Sequence, residues 1–211
     1  MKLRVHLLIG PRRISVTRTG WSLLRRRQIL VGRRFRVRGV RNIYVPRGHL
    51  SLGTSFFGFA DNRTPSFLHV RGKLTVGTNV RVGTGSRWDI GPNSKVDIGD
   101  DTYFSPDTLL ISSTAVSVGT GCAISWQTQI LDDDFHTLEI DSVPRNRSAS
   151  VIIGNRVWIG TRCIVLKGSE IADGCVVAAG SVIAGEFAEP NCLIGGVPAK
   201  IIRHNVRWAT D

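Results

Sequence analysis

The sequence predicts an all-β fold, a parallel β-helix wound in triangular coils, and three observations lead there. Ile153, Ile159, Val165, Ile171, Val177 and Ile183 follow one another at steps of six, each trailed by a small or aliphatic residue. Four positions after five of them comes a second restricted slot, held by Val157, Cys163, Ser169, Cys175 and Ser181. A period of six fits neither the 3.6 of a helix nor the 2 of a plain strand, so the chain has to turn after every short extended piece. Three such pieces restore the starting direction. Ile153 then stacks over Ile171, Ile159 over Val177 and Val165 over Ile183, giving a continuous β-branched core.

Composition sets the frame. A chain of 211 residues is long enough to bury one real core without a covalent staple. Three of the four cysteines, Cys122, Cys163 and Cys175, occupy small-residue slots of the repeat, where a thiol packs as a small hydrophobe. They show no zinc spacing, and the usage fits a reducing, cytoplasmic compartment. The apolar run Val5 to Ile9 is too short for a secretory signal, and no stretch is long enough to span a bilayer. The net charge of +12 is concentrated at one end: residues 1–47 hold 14 of the 28 Lys and Arg and no acid, leaving 14 basic against 16 acidic residues beyond. Such an arm could lie on an anionic membrane at the inner face, meet a polyanionic substrate, or remain a solvated flank. No motif for nucleic acid accompanies it.

Taken in order, residues 1–30 lack the repeat. Trp21, Leu23, Leu24, Gln28, Ile29 and Leu30 around Arg25–Arg27 suit a short amphipathic helix that caps the open end of the coil, with membrane contact as the alternative. The β-helix is expected over residues 31–189. Phe35, Val37, Val40, Ile43 and Val45 make its irregular first turns, and Phe56, Phe57 and Phe59 fall in a loop. Val70, Val76 and Val82 keep the step, two-residue slips follow at Trp88–Ile90, Val96–Ile98 and Val116–Val118, and the step continues through Phe104, Leu110, Ile124 and Ile130. The slips are expected to be corner adjustments. Residues 132–150, DDDFHTLEIDSVPRNRSAS, break the count. A coil tolerates insertions only at corners, because elsewhere they would break the hydrogen-bonded stack, so this stretch is a protruding loop presenting His136. Residues 190–211 form a C-terminal tail.

With these repeats, the segments ISWQTQILDDDFH (Ile124 to His136), IGNRVWIG (Ile153 to Gly160) and IGGVPAKIIR (Ile194 to Arg203), the chain resembles the hexapeptide-repeat acyltransferases. It is most similar there to CoA-dependent O-acetyltransferases of sugars and surface polysaccharides, such as galactoside and maltose acetyltransferases. The resemblance is strong over residues 98–203 and carried by the repeat alone over 31–97. It implies a left-handed coil, against the usual right-handed rule for parallel crossovers, and a homotrimer with active sites in clefts between subunits. It implies acetyl-CoA as donor, no metal, and a glycan or small-molecule acceptor in cell-surface polysaccharide biosynthesis.

On the same resemblance, His136 is the general base; imidazole is the side chain that exchanges protons near neutrality. Asp134 or a loop carbonyl would hold its ring. Trp158, Gly160 and Thr161 belong to the donor site, with the Thr161 N–H as oxyanion donor. Ala179 leaves room for pantetheine, and Lys200 and Arg203 meet the nucleotide phosphates. Ser105 and Trp126 are the candidate acceptor-binding residues, Ser105 standing where the sugar acetyltransferases carry an asparagine. Ala184–Gly185 replaces the family's Thr-Lys, which removes one phosphate contact. Other readings stay open: an acyl carrier protein as donor, suited to the basic arm, N-acetylation of an amino sugar, or a noncatalytic scaffold. A zinc enzyme on the same coil would need three converging histidines, and His6, His49, His69, His136 and His204 are spaced against it.

Overall fold

Strands of two to five residues pair with the strand one coil away; only a small hairpin in a protruding loop and the last strand pair with the next in sequence among the described residues. The computed structural model describes residues 15, 17, 19, 28–54 and 64–209. Among them, three parallel sheets form the faces of a triangular prism, a left-handed parallel β-helix. The first face begins at Ile29–Val31, the second at Phe35–Arg38 and the third at Ile43–Tyr44. One coil visits each face in turn. The first corner lies between faces one and two, the second between two and three, and the third leads to the next coil.

The inward column follows from the repeat. Ile153 pairs with Ile171, Ile159 with Val177 and Val165 with Ile183, and all six side chains are buried. The second slot is buried as well, at Val157, Cys163, Ser169, Cys175 and Ser181. Burial pushes the thiol of Cys122 up to about 11, against the opposing bonds from the Val157 backbone and the Thr102 hydroxyl. Cys163, Cys175 and Cys192 are raised by burial in the same way.

The two-residue slips are not corner adjustments. They lie inside strands: in Arg87–Ile90, Lys95–Ile98 and Ala115–Val118 the order is out, in, out, in, so both members of Trp88/Ile90, Val96/Ile98 and Val116/Val118 face the core. A longer strand places a second side chain inside without changing the corner, because alternate residues share a face. The corners themselves repeat one backbone. At the third corner Asn79, Asp101, Arg156 and Asn191 adopt positive φ, as do Asp107, Gln127 and Arg162 at the first. Asn and Asp tolerate that conformation, and Asn79 Nδ2 donates to Asp101 Oδ1 on the next coil at 3.1 Å; at the same corner Asp100 accepts from the Thr78 N–H at 2.6 Å and Asp173 from the Asn155 N–H at 2.7 Å.

Ile29 and Leu30, read above as the end of a helix, form the first strand instead. Val31 donates to the Thr19 hydroxyl at 3.1 Å and accepts from the Ser15 N–H at 2.9 Å. Trp21, Leu23, Leu24 and Arg25–Arg27, and likewise Phe56, Phe57 and Phe59, lie outside the described residues. Among the described residues no helix is long and apolar enough to cross a membrane. At the other end Leu193–Gly196, within the stretch read as a tail, completes the first face, and Ala199–Arg203 folds back on it as an antiparallel strand after the cis peptide Val197–Pro198.

Candidate active site

The loop that carries His136 leaves the coil at the second corner and holds a two-rung hairpin, Glu139–Ile140 against Val143–Pro144. Three consecutive aspartates fix its base, each to a different part of the fold. Asp132 is fully buried and accepts from the Ser112 hydroxyl at 2.6 Å and from the N–H groups of Ser113 and Thr114 at 2.7 and 2.9 Å, in the corner of the preceding coil. Buried carboxylates need such donors. Asp133 binds the far leg of the loop: Arg147 Nη2 donates to Oδ2 at 3.1 Å, Arg147 Nε lies 3.0 Å from Oδ1, and the Phe135 N–H donates at 2.7 Å. Burial alone would raise the Asp133 pKa, but the Phe135 N–H, Ser113 and the Arg147 guanidinium outweigh it and hold the group below the usual carboxylate value. Asp134 reaches the following coil, where Lys167 Nζ stands 2.6 Å from its carboxylate and also bonds the Asn146 carbonyl.

Asp134 is therefore not the carboxylate partner of His136. Its backbone carbonyl takes that place, 3.3 Å from Nδ1. A carbonyl only accepts, so this contact assigns the proton to Nδ1 and leaves Nε2 with a lone pair. The imidazole and its neighbours Phe135 and Leu138 are exposed.

The remaining expected residues fall elsewhere, and most share one column. Ser105, Ser125, Gly160 and Ala178 succeed one another up the first corner through bonds from Ser105 to Ile124, Ser125 to Ile159, Gly160 to Val177 and Ala178 to Ile194. Trp126, Thr161 and Ala179 follow them in the next position. The Thr161 hydroxyl donates to the Trp126 carbonyl at 2.9 Å. On either side of Thr161, Gly160 donates to Val177 at 2.8 Å and Arg162 to Trp126 at 3.1 Å, while the Thr161 N–H meets no acceptor among the described residues. Gly160 serves the stack: a Cβ there would lie 2.7 Å from the Ala179 nitrogen. Trp158 faces outward beside this corner, donating to Ser125 Oγ at 3.2 Å. Trp208, which no motif or spacing singles out, approaches it with ring centres 6.1 Å apart, anchored by its own Nε1 donating to the Arg156 carbonyl at 2.7 Å.

Lys200 and Arg203 are three apart and would face opposite ways on a regular strand. A register irregularity at Leu193/Ile194 changes that: Lys200 pairs with Gly195 and Arg203 with Leu193, two residues apart on the partner strand. Directly paired residues share a face, so the bulge brings both cations to the same side. Both are exposed. Within one chain His136 and the Thr161 column are not brought together; the whole second face separates their corners. Glu189, Cys192 and His204 offer ligand atoms within 4.8 Å of one another at the third corner of the last coil, where His204 Nδ1 and Glu189 Oε1 are 2.7 Å apart. That grouping is remote from His136, and in it the imidazole and the carboxylate meet over the buried Cys192 thiol.

Residues 150–185 match the family model "Bacterial transferase hexapeptide (six repeats)". An uncharacterized 24.8 kDa protein in the cps region of Klebsiella pneumoniae is 36% identical over 189 residues, 89% of this chain and 84% of its own. An Escherichia coli K12 protein provisionally named lipopolysaccharide biosynthesis O-acetyl transferase WbbJ is 30% identical over 151 residues, 67% of this chain and 76% of its own. Among solved structures, a galactoside acetyltransferase in complex with coenzyme A superposes with a TM-score of 0.52 at 23% identity, covering 62% of this chain and 64% of that one. With the coil, the matched repeats and relatives aligned over most of their length, the chain belongs to the hexapeptide-repeat acyltransferase family.

Proposed function

We propose that the chain is an acetyl-CoA-dependent O-acetyltransferase that esterifies a sugar hydroxyl during assembly of a cell-surface glycan. The observation that carries this reading is the Thr161 N–H, without an acceptor among the described residues, on a corner that continues through the small Ala179 toward the end of the coil bearing Lys200 and Arg203. That column has an oxyanion donor, space for a thin pantetheine arm and cations for phosphates, in the order a CoA thioester would need them. The two relatives with assigned names act, by those names, as an O-acetyl transferase of lipopolysaccharide biosynthesis and as a galactoside acetyltransferase bound to CoA.

In this reading His136 Nε2 takes the proton of the acceptor hydroxyl as its oxygen attacks the thioester carbonyl. The Thr161 N–H receives the charge that develops on the carbonyl oxygen. Collapse breaks the carbon–sulfur bond, the proton passes from His136 to the departing thiolate, and the products are the acetyl ester and free CoA. No covalent enzyme intermediate forms. Because the second face separates His136 from Thr161 within a chain, the site needs the loop of a neighbouring copy, which favours a homotrimer with three equivalent grooves. Ser105 and Trp126, lower on the same corner, are placed on the acceptor side, and the buried reduced thiols fit a cytoplasmic location.

Labelled acetyl-CoA incubated with the protein and a panel of nucleotide sugars, lipid-linked sugars and glycan fragments tests the reading. One acceptor class should gain an acetyl group that mild alkali removes. An alkali-stable product would make the enzyme an N-acetyltransferase, and transfer from acyl carrier protein alone would replace the donor.

A further inference from the structure

A cavity of about 480 Å³ opens at the first corner, on the N-terminal side of Thr161. Gly85, Asp107 and Gln127 line it from three successive coils, and Arg162 is the next residue of that column. Thr64, Pro65, Arg87, Leu109 and Gln129 complete its wall from the second-face side, so polar groups stand beside two apolar side chains on which a sugar ring can rest. The cavity thus sits on the same corner as the proposed oxyanion donor, in the direction opposite to Ala179, Lys200 and Arg203. If the donor thioester occupies the C-terminal run of this corner, the N-terminal run is where an acceptor has to lie.

The lining has the chemistry of a carbohydrate site with a charge requirement. Asp107 sits over Gly85, where a Cβ would fall 1.8 Å from its Oδ1, and supplies acceptor oxygens. Arg162 Nε donates to Gln127 Oε1 at 2.8 Å, which fixes that amide and leaves its NH2 as a donor. Gln129 and Thr64 add further hydroxyl partners. Arg87 differs from these. It is exposed, and its guanidinium makes no hydrogen bond or ion pair among the described residues. The nearby carboxylate of Asp89 is already taken by Arg71, at 3.1 Å to each oxygen, and lies 3.6 Å from His69. Arg36, Phe67 and Arg87 are consecutive in one outward column of the second face, and the Arg38 guanidinium lies over the Phe67 ring at 5.8 Å. Arg87 lines the cavity, and Arg36 and Arg38 flank Phe67, the residue before Arg87 in that column.

We infer that this cavity is the acceptor subsite and that Arg87 makes it selective for a sugar unit bearing a carboxylate. The guanidinium fork matches a carboxylate with two parallel N–H bonds, and the polar wall orients the ring so that one hydroxyl reaches the level of Thr161. This rests on the acetyl-transfer reading for its place in a reaction, but the carboxylate preference can be measured without turnover.

The probes are an oligosaccharide containing hexuronic acid and its carboxyl-reduced counterpart, offered to the wild-type protein and to Arg87→Gln. Calorimetry should show the acidic form bound about tenfold or more tightly by the wild type, with the preference lost in the variant. In acetyl transfer, Arg87→Gln should raise KM for the acidic acceptor by a similar factor and leave KM for acetyl-CoA and use of the reduced acceptor unchanged. Equal binding of the two probes by the wild type, or a preference that survives in Arg87→Gln, would overturn the inference. Selective, Arg87-dependent binding without any acetyl transfer would support the carboxylate site and count against the proposed activity instead.

Discussion

Asp133 shows how a single carboxylate can hold a loop. Its side chain is withdrawn from solvent and shared between the Phe135 N–H and the Arg147 guanidinium, so Asp133→Asn leaves Arg147 without its counter-charge and should cost about 1–3 kcal/mol. The sign of its pH dependence follows from its lowered pKa. A group with a folded pKa below its unfolded value stabilises the fold above the unfolded pKa, and the contribution is lost as pH falls through the folded one. Thermal midpoints of wild type and Asp133→Asn should therefore differ at pH 7, keep that difference down to the ordinary carboxylate value of about 3.9, and converge only at lower pH. The cysteines behave in the opposite sense. With Cys122 pushed up to about 11 and the other three thiols raised by burial, the native protein at pH 7.5 should resist alkylation by iodoacetamide, as thiols rather than thiolates do. Rapid stoichiometric labelling without denaturant would contradict that.

Between residue and fold, the elements that matter are a corner, a loop base and a bulge. Gly160→Val would drive a side chain into the backbone of the next coil, 2.7 Å away at its Cβ; denaturant unfolding should show a loss of about 1–3 kcal/mol or more. The bulge at the end of the first face has a sharper consequence. If what matters is that Arg203 stands opposite Leu193 on the side of Lys200, deleting Ile202 leaves the two cations two apart on a regular strand and should keep KM for acetyl-CoA near the wild-type value, whereas Arg203→Ala raises it. A deletion variant whose KM rises as far as that of Arg203→Ala would mean that sharing one side of the strand is not what lets the two cations act together. Neither the bulge nor the loop base was legible in the sequence. Asp134 stands two residues from His136 and invites pairing with it, whereas its partner Lys167 is 33 residues away and becomes a neighbour only because the coil returns to the same corner. The three aspartates read as one polar run and act on three different parts of the fold. The period of six, by contrast, was readable because each inward position repeats under the same steric demand. The slips at Trp88–Ile90 and Val96–Ile98 misled only about location, since a strand longer by two shifts the count as a corner insertion does.

At the scale of the whole molecule, the candidate site is incomplete in one chain. The first corner supplies Thr161 and Ala179, the second supplies His136, and the second face lies between them. Sedimentation equilibrium should find a trimer, and mixing His136→Ala chains with Thr161→Pro chains, whose proline has no N–H to donate, should restore activity through grooves that pair one intact half with the other. The basic end of the coil and the donor column lie toward opposite ends of the prism, which is consistent with acceptor and CoA entering from different directions.

The most direct test is turnover of His136→Ala measured beside its affinity for CoA. If His136 is the base, kcat should fall by about two to four powers of ten while CoA binds as it does to the wild type, because the imidazole would act on the acceptor hydroxyl and not on the pantetheine or the phosphates. A His136→Ala enzyme with undiminished kcat would contradict the mechanism.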